Sequence, residues 1–326
     1  MAEQLNRKDQ QTSEATSINL WWRDVKTGPL KTFRQSDAVV DGNIAYFRES
    51  YSREIYAYDV TSDIWSQLLD CITEHCPITV ISGWLTTIGG CSDGINYSNE
   101  LFSLIGEGSN RLWTKKFPPM PTKRCWTSAL CTGGMLIVAG GQGVDSKVLS
   151  TVEVMNIENY QWSTAADLPE PMYMASATVC GDCIYMLGGI NKKYTNSAYT
   201  CSLSALIQSL EPCSLGAQLK TTSLEDKANA ISWRKVADVP VTRSTSASLY
   251  GRLLAIGGEY KETDSYTTAV YVYHSTTNSW KIVIHLTACR CACLTVVLPD
   301  NQLMVVGGID NSQNKSDRVE FATRHV

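Results

Sequence analysis

The sequence of 326 residues lacks several features that mark common functional classes. It has no apolar run of about 18 residues, so we expect no membrane-spanning helix and no membrane partner. Its 28 basic and 32 acidic side chains give a net charge of −4, which argues against general nucleic-acid binding. The first residues, MAEQLNRKDQQTSEATS, are polar and lack the apolar core of a secretory signal. We therefore expect a cytoplasmic protein with a disordered lead-in over residues 1–17.

Histidine is scarce, and the sequence lacks the short motifs of common catalytic sites. The four histidines are His75, His274, His285 and His325. Their positions in the repeat described below predict that they do not converge on a metal. Neither a G-x-S-x-G nucleophile motif nor a phosphate-binding loop is present. The sequence therefore predicts no catalytic residues, no cofactor and no metal, and the protein is not expected to be an enzyme.

Cysteine is abundant, with 12 residues, but its spacing gives little support for a metal site. Cys180 and Cys183 form one C-x-x-C pair, and no second pair exists to complete a tetrahedral zinc site. The favoured interpretation is two structural cysteines flanking a turn, with a redox or metal pair as the alternative. Cys289, Cys291 and Cys293 alternate, so a strand would place them on one face, as small buried thiols. In a reducing compartment all of these thiols are expected to be free.

The sequence does contain a unit that repeats at intervals of roughly 50 residues, a period typical of β-propellers. Its clearest copy runs from Thr122 to Trp162 and holds two apolar runs around a turn, a glycine pair and a terminal tryptophan. Alternating and β-branched residues bounded by glycine predict short antiparallel strands. The glycine pairs are Gly89-Gly90, Gly140-Gly141, Gly188-Gly189, Gly257-Gly258 and Gly307-Gly308. The tryptophans in phase with this repeat are Trp65, Trp113, Trp162, Trp233 and Trp280.

Six copies of the unit can be counted, and the last one ends without a tryptophan. The segment around Trp22 resembles the one around Trp233, so we expect an N-terminal strand to complete the last blade and close the ring, leaving no open edge. The predicted fold is an all-β, monomeric, six-bladed propeller over residues 18–326, with four antiparallel strands per blade. Two departures stand out. Arg48-Glu49 replaces the first glycine pair, and an insertion at about 204–230 in the fourth blade contains a short predicted helix, SALIQSL.

Glycine pairs after apolar strands, followed by a tryptophan at this period, resemble the Kelch repeat. The resemblance covers nearly everything after residue 17 and implies a protein-interaction module that binds another protein or peptide on its loop face. Kelch proteins often serve as scaffolds or as substrate adaptors for ubiquitin ligases, although no BTB domain is evident before the repeat here. Some Kelch propellers are enzymes. The alternative function is therefore a small-molecule enzyme or a sugar-acid binder that uses an arginine-rich channel mouth.

The residues that lead into the innermost strands form the predicted binding site. They are Arg34, His75, Arg124, Tyr173, Arg243 and Arg290. Sixfold placement would arrange them in a ring around the channel, where guanidinium groups favour a carboxylate or an acidic peptide. In the alternative, an arginine at this place is part of the repeat, as in many Kelch copies, and bonds neighbouring backbone. Polar loops after the glycine pairs, including Asn191, Lys192 and Tyr194, would extend the same face.

Overall fold

The computed structural model describes residues 20–29, 37–49, 52–92, 94–210 and 232–324. It contains six antiparallel sheets of four strands each, which are the predicted blades. The innermost strand of each blade contacts the innermost strands of both neighbours, so the six blades form a ring around a central channel. The predicted lead-in over residues 1–17 lies outside the described residues.

The strands, numbered in chain order, begin with β1 (Leu20–Thr27). Blade 1 comprises β2 (Asp37–Asp41), β3 (Ile44–Arg48), β4 (Ile55–Asp59) and β5 (Ile64–Gln67). Blade 2 comprises β6 (Ile78–Ile81), β7 (Trp84–Ile88), a loop hairpin of β8 (Cys91–Ser92) and β9 (Asn96–Tyr97), β10 (Leu101–Ile105) and β11 (Leu112–Lys115). Blade 3 comprises β12 (Ser128–Thr132), β13 (Met135–Ala139), β14 (Val152–Asn156) and β15 (Trp162–Thr164). Short 3-10 turns span Gly108–Asn110 and Val144–Ser146.

Blade 4 comprises β16 (Ser176–Cys180), β17 (Cys183–Leu187), a loop hairpin of β18 (Ile190–Asn191) and β19 (Lys193–Tyr194), β20 (Ala198–Ser202), the helix α1 (Leu203–Leu210) and β21 (Arg234–Val236). Blade 5 comprises β22 (Thr245–Leu249), β23 (Arg252–Ile256), a loop hairpin of β24 (Glu259–Tyr260) and β25 (Ser265–Tyr266), β26 (Ala269–His274) and β27 (Ser279–His285). Blade 6 comprises β28 (Leu294–Val297), β29 (Leu303–Val306) and β30 (Arg318–Arg324).

The sixth blade is completed by the N-terminal strand, as the sequence predicted. β1 pairs antiparallel with β30, with Trp22 opposite Ala322 and Thr27 opposite Arg318. The sheet order from the outside to the channel is β1, β30, β29 and β28. This pairing closes the ring because it joins the two ends of the described chain in one sheet, which removes the open edge between the last and first blades.

The burial of each strand follows from its distance to the channel. The second strand of a blade is covered by sheets on both sides, so β13 is buried at all five positions and its sequence is a continuous apolar run. The outermost strand has one covered side, so in β5 three of the four residues are exposed. Apolar clusters between neighbouring blades therefore form the core, for example Ile137, Val154 and Met186 between blades 3 and 4.

The glycine pairs let neighbouring blades approach at the level of the backbone. Gly90 has φ of +92°, and a Cβ there would lie 2.5 Å from the carbonyl oxygen of Glu74. Its N–H donates to the carbonyl of Arg124 in the next blade at 2.9 Å, and Gly141 makes the corresponding bond to Met172 at 2.8 Å. Gly258 makes the corresponding bond to Arg290 at 3.0 Å. These three pairs thus combine a left-handed conformation with an inter-blade hydrogen bond, which explains the recurrence of glycine at this place. Blade 1 forms its four strands with Arg48 in place of the first glycine.

The outermost tryptophans bind each blade to the segment before it. The indole Nε1 of Trp113 donates to the carbonyl oxygen of Asp70 at 2.8 Å, and Trp280 donates to Ala237 at 2.9 Å. Trp162 and Trp233 make the same kind of bond to Pro118 and Ala166. The repeated tryptophan therefore contributes a large apolar ring and one buried donor with a partner.

The insertion of blade 4 begins with the predicted helix. α1 covers the SALIQSL segment and buries Leu206 completely against the core between blades 3 and 4. The remainder of the insertion, residues 211–231, lies outside the described residues. No helix in the described part of the chain has the length and apolar character needed to cross a membrane.

Candidate functional site

The connections into the innermost strands of blades 2 to 6 share an unusual backbone conformation at one position each. His75, Trp126, Met174, Arg243 and Ala292 all have φ between +49° and +56°. The N–H of Trp126 donates to the carbonyl of His75, Met174 donates to Trp126, and Ala292 donates to Arg243, at 2.8 to 3.0 Å. This chain of hydrogen bonds links consecutive blades around the loop face, on which the inter-blade connections and the loops after the glycine pairs lie. We call these five residues the mouth positions.

The six predicted site residues do not share one structural position. His75 and Arg243 are mouth positions, Tyr173 precedes one by a single residue, and Arg124 and Arg290 precede them by two. Arg34 lies outside the described residues. The structure therefore brings His75, Tyr173 and Arg243 to the mouth but places the other two arginines within the blades.

Arg124 is fully buried, and both of its Nη atoms are bound inside blade 3. Its Nη1 donates to the carbonyl oxygens of Gly140 at 2.9 Å and Thr151 at 3.1 Å. Its Nη2 lies 2.9 Å from the carboxylate of Glu153, whose side chain is 5 % exposed. Burial lowers the pKa of Arg124, and the attraction of Glu153 opposes that effect. The guanidinium is therefore occupied by its own blade.

Arg290 repeats this arrangement in blade 6. Its Nη1 donates to the carbonyl oxygen of Gly307 at 3.0 Å, and Nη2 pairs with the carboxylate of Glu320. Both side chains are at most 1 % exposed. In both blades a carbonyl of the glycine pair and a glutamate on the third strand fix the arginine. This matches the alternative in which an arginine here is part of the repeat.

Aromatic rings meet at the mouth between blades 2 and 4. The ring centroids of His75 and Trp126 lie 4.5 Å apart, and those of Trp126 and Tyr173 lie 5.8 Å apart. Sequence reasoning missed Trp126, because it was counted with the apolar strand that follows. A signal was present: His75, Trp126, Met174 and Arg243 each lie fourteen positions before the first glycine of their blade's pair.

Arg243, the mouth position of blade 5, lies in a second polar and aromatic cluster. Its Nη1 contacts the carboxylate of Glu259 at 3.0 Å and the hydroxyl of Tyr266 at 3.3 Å. Its guanidinium lies 5.0 Å from the ring centroid of Tyr194 and 5.5 Å from that of Tyr266. Burial, which by itself would lower the pKa of Arg243, is outweighed by neighbouring groups that raise it. The side chain is fixed, charged and 10 % exposed.

The loops after the glycine pairs stand around these clusters. In blade 4 the hairpin of β18 and β19 carries Lys192 and Lys193, both exposed, directly before Tyr194. In blades 2 and 3 the loop tips carry Ile95 and Val144, which are 77 % and 56 % exposed. The face is therefore basic and aromatic near blade 4 and apolar at the tips of blades 2 and 3.

The central channel contains a cavity of about 120 Å³ that Arg243, Tyr194 and Asp37 help to line. Its other walls come from the innermost strands and include Ser128, Ser176, Ser246 and Thr295. Burial raises the pKa of Asp37 to about 7, and Arg48, whose Nη2 is 3.8 Å away, opposes the shift. The carboxyl lies deep in the propeller although 37 % of its side chain is open to the channel.

Metal-binding side chains do not converge in the described part of the chain. Within the described residues, no cluster of three or more His, Cys, Asp or Glu side chains is arranged to hold a metal ion. The described cysteines are free thiols, and Cys180 and Cys183 flank a turn as predicted. Cys289, Cys291 and Cys293 precede β28 instead of lying in a strand, which corrects that expectation, although Cys291 and Cys293 are buried.

The fold is a six-bladed β-propeller, and its loop face carries the aromatic and polar clusters at the mouth. Residues 123–169 match the family profile of the Kelch motif. A RING finger domain and kelch repeat-containing protein of Dictyostelium discoideum is 24 % identical over 207 residues, which are 59 % of this chain and 20 % of that protein. Kelch-like protein 36 of Mus musculus is 25 % identical over 166 residues, which are 47 % of this chain and 26 % of that protein. The chain is a six-bladed β-propeller that carries a Kelch motif over residues 123–169 and is similar to Kelch-repeat proteins.

Two further proteins are similar to this chain, one in sequence and one in structure. Kelch repeat protein M-T8 of Myxoma virus is 27 % identical over 216 residues, 57 % of this chain and 41 % of that protein. The matched segments thus span less than half the length of these curated relatives. The solved structure of YjhT superposes with a TM-score of 0.66 at 16 % identity, covering 90 % of this chain and 95 % of that one. At this identity the likeness concerns the fold alone.

Proposed function

We propose that the chain is a protein-binding propeller that takes an acidic segment of a partner protein on its loop face. The similarity to Kelch-like proteins supports a binding role. The proposal gives this role to a non-catalytic, monomeric scaffold or substrate adaptor in the cytoplasm. The observation that carries the acidic preference is the blade 4 sector, where Lys192 and Lys193 are exposed beside the fixed pair of Arg243 and Tyr194.

The charge of this sector comes from the lysines. Glu259 neutralises Arg243, since the two groups are 3.0 Å apart and only 10 % and 17 % exposed. Lys192 and Lys193 stand on the hairpin tip with their charges in solvent, and no described carboxylate pairs with them. Two adjacent cations attract carboxylates and increase the association rate of an acidic partner. Arg243 keeps the ring of Tyr194 in place as a rigid contact surface.

The channel beside this sector gives the bound segment a second contact. A cavity of about 120 Å³ opens next to Arg243 and Tyr194 and has hydroxyl groups along its walls. That volume has room for a side chain of the bound segment. Tyr173, whose backbone pairs with Ile190 of the same hairpin, and Trp126 beside it supply aromatic surface next to this sector. Aromatic residues are enriched among the contacts that contribute most to protein interfaces.

Arg124 and Arg290 are not assigned to partner binding in this proposal. Both guanidinium groups are shut off from solvent and committed to Glu153 and Glu320. Arg34 lies outside the described residues and keeps its place as a predicted contact from the sequence. The proposed contact residues are therefore Lys192, Lys193, Tyr194 and Arg243, with Tyr173, which pairs with the same hairpin at Ile190, and with Trp126 and His75 in the two preceding blades.

The test is a peptide selection with the whole chain as bait. A phage-displayed library of random peptides is selected on three baits. These are wild type, the variant Lys192→Glu/Lys193→Glu and a matched control, Lys235→Glu/Lys281→Glu. The control makes the same change in net charge at two exposed lysines of the outermost strands. We expect peptides rich in Asp and Glu from wild type and the control, and their loss with the Lys192/Lys193 variant. Selection of neutral peptides, or equal retention by all three, would contradict the proposal.

A small-molecule function is the second candidate, and Asp37 is the observation that favours it. A carboxyl whose pKa is raised to about 7 lines the same cavity as Arg243, and groups of this kind are frequent at functional sites. A sugar acid would place its carboxylate towards Arg243 and its hydroxyls along the channel. Melting curves of wild type and Asp37→Asn with and without a sugar acid test this candidate. A ligand-dependent rise in Tm for wild type supports it, and no shift at millimolar ligand rejects it.

A further inference from the structure

Two cysteines on the face opposite the loops lie directly across from each other. Cys180 ends β16, Cys183 begins β17, and the two are partners in the antiparallel register. Directly opposed residues in such a pair have Cα atoms about 4.5–5.5 Å apart, within the range that native disulfides span. Both side chains are partly exposed. The fold therefore holds a dithiol at disulfide distance where solvent reaches it.

Two other described cysteine pairs have adjoining side chains, Cys71 with Cys76 and Cys91 with Cys125, but all four thiols are buried and neither pair is opposed in a strand register. Among the paired strands that the structure describes, Cys131 lies opposite Leu136 and Cys201 lies opposite Ile184. Cys131 is the penultimate residue of the first strand in blade 3 and is also partly exposed. It serves as a control because it is a partly exposed thiol near a hairpin turn whose cross-strand partner is Leu136.

The turn between the two cysteines holds the start of helix α1. The carboxylate of Asp182 accepts hydrogen bonds from the backbone N–H of Ser204 at 3.0 Å and from the hydroxyls of Ser202 and Ser204 at 2.8 and 2.7 Å. The backbone carbonyl of Asp182 accepts from the N–H of Leu203 at 2.7 Å. The turn thus provides four acceptor contacts for the first residues of the helix, where N–H groups have no partner within the helix.

Helix α1 in turn connects two blades. Leu206 is fully buried in the core between blades 3 and 4, and the Cδ1 atom of Ile207 lies 2.9 Å from the place that a Cβ on Gly133 would occupy. Gly133 belongs to the first hairpin turn of blade 3. A change at the Cys180–Cys183 turn is therefore transmitted through the helix to the neighbouring blade.

We propose that Cys180 and Cys183 form a reversible redox site for low-molecular-weight disulfides such as glutathione disulfide, and that its oxidation tightens the attachment of helix α1. One cysteine thiolate attacks glutathione disulfide, forming a mixed disulfide and releasing one glutathione thiolate. The second thiolate attacks the protein sulfur of the mixed disulfide and releases the second glutathione. Two protein thiols lose two electrons and two protons, and one glutathione disulfide becomes two glutathiones.

The expected consequence follows from the position of the cross-link. A disulfide between Cys180 and Cys183 removes the open conformations of the turn that carries Asp182. Because that turn supplies the helix with its four acceptor contacts, the helix separates from it less often. Amide hydrogens of residues 203–210 should then exchange more slowly in the oxidised protein, by at least about threefold.

The experiment equilibrates the full chain in glutathione buffers of increasing oxidation at pH 7. Mass spectrometry of the digest locates cross-links, and hydrogen exchange follows residues 203–210. We expect an intramolecular Cys180–Cys183 disulfide that reverses on reduction, with slower helix exchange, in wild type and Cys131→Ser but not in Cys180→Ser. Stable glutathionylation without ring closure, or closure with unchanged helix exchange, would overturn the proposal. The wild-type digest shows whether the Cys180–Cys183 disulfide forms, even if Cys180→Ser does not fold.

Discussion

The guanidinium of Arg124 lies 2.9 Å from the carboxylate of Glu153, and neither side chain is more than 5 % exposed. Arg290 and Glu320 form the same pair in blade 6. In each case the arginine leads into the innermost strand and the glutamate lies on the third strand of the same blade. The pair therefore fastens the inter-blade connection to the centre of its sheet.

The first prediction concerns this pair. Arg124→Ala leaves Glu153 as an uncompensated buried charge, so we expect the free energy of unfolding to fall by about 3–5 kcal/mol. The double variant Arg124→Met/Glu153→Met removes both charges and should recover most of that loss. Urea denaturation followed by tryptophan fluorescence measures both. A loss below about 1 kcal/mol for Arg124→Ala would mean that the arginine does not hold the blade.

The second prediction separates close backbone approach from backbone conformation. Gly90 has φ of +92° and no room for a Cβ, whereas Gly94 has φ of +71° and nothing within 4 Å of that position. We expect Gly90→Ala to cost about 3 kcal/mol or more, from strain and overpacking together. Gly94→Ala should cost only the conformational part, about 1–2 kcal/mol. Equal losses in denaturation experiments would show that the approach of Glu74 can relax.

The blades could be counted from the sequence because the glycine pairs and the tryptophans make contacts that recur from blade to blade. Gly90 has no space for a side chain, and the indole of Trp113 reaches a carbonyl of the preceding segment. Ring closure could be predicted because the segment around Trp22 has the features of an outermost strand. These features depend on local geometry that recurs in every blade, so they remain visible in one sequence.

The mouth could be predicted only in part, because side chains one and two residues apart point into different surroundings. Arg124 lies two residues before Trp126, and this difference moves the guanidinium from the mouth into the blade. In the sequence, an arginine at the mouth and an arginine inside the blade both appear shortly before an innermost strand. Counting back from the glycine pair finds the mouth position, but the glutamates that engage Arg124 and Arg290 lie on a distant strand.

The third prediction is a pH dependence caused by Asp37. Its pKa is raised in the folded protein to about 7, so the folded state keeps this proton at pH values where the unfolded state has lost it. Asp37 therefore lowers the stability progressively as the pH rises from about 4 to about 7. Asp37→Asn cannot ionise, so it should gain stability over wild type across this window. Melting temperatures between pH 4 and pH 8 test this, and a difference that does not vary with pH would contradict it.

The most direct test of binding at the blade 4 sector is a reciprocal exchange of charge. An acidic peptide selected on wild type, and the same peptide with each Asp and Glu replaced by Lys, are titrated against wild type and Lys192→Glu/Lys193→Glu. We expect wild type to bind the acidic peptide at least about tenfold more tightly, and the variant to reverse this preference, because charge complementarity sets the partner. Lys235→Glu/Lys281→Glu should behave as wild type. If the variant keeps the wild-type preference, the acidic segment does not bind at Lys192 and Lys193.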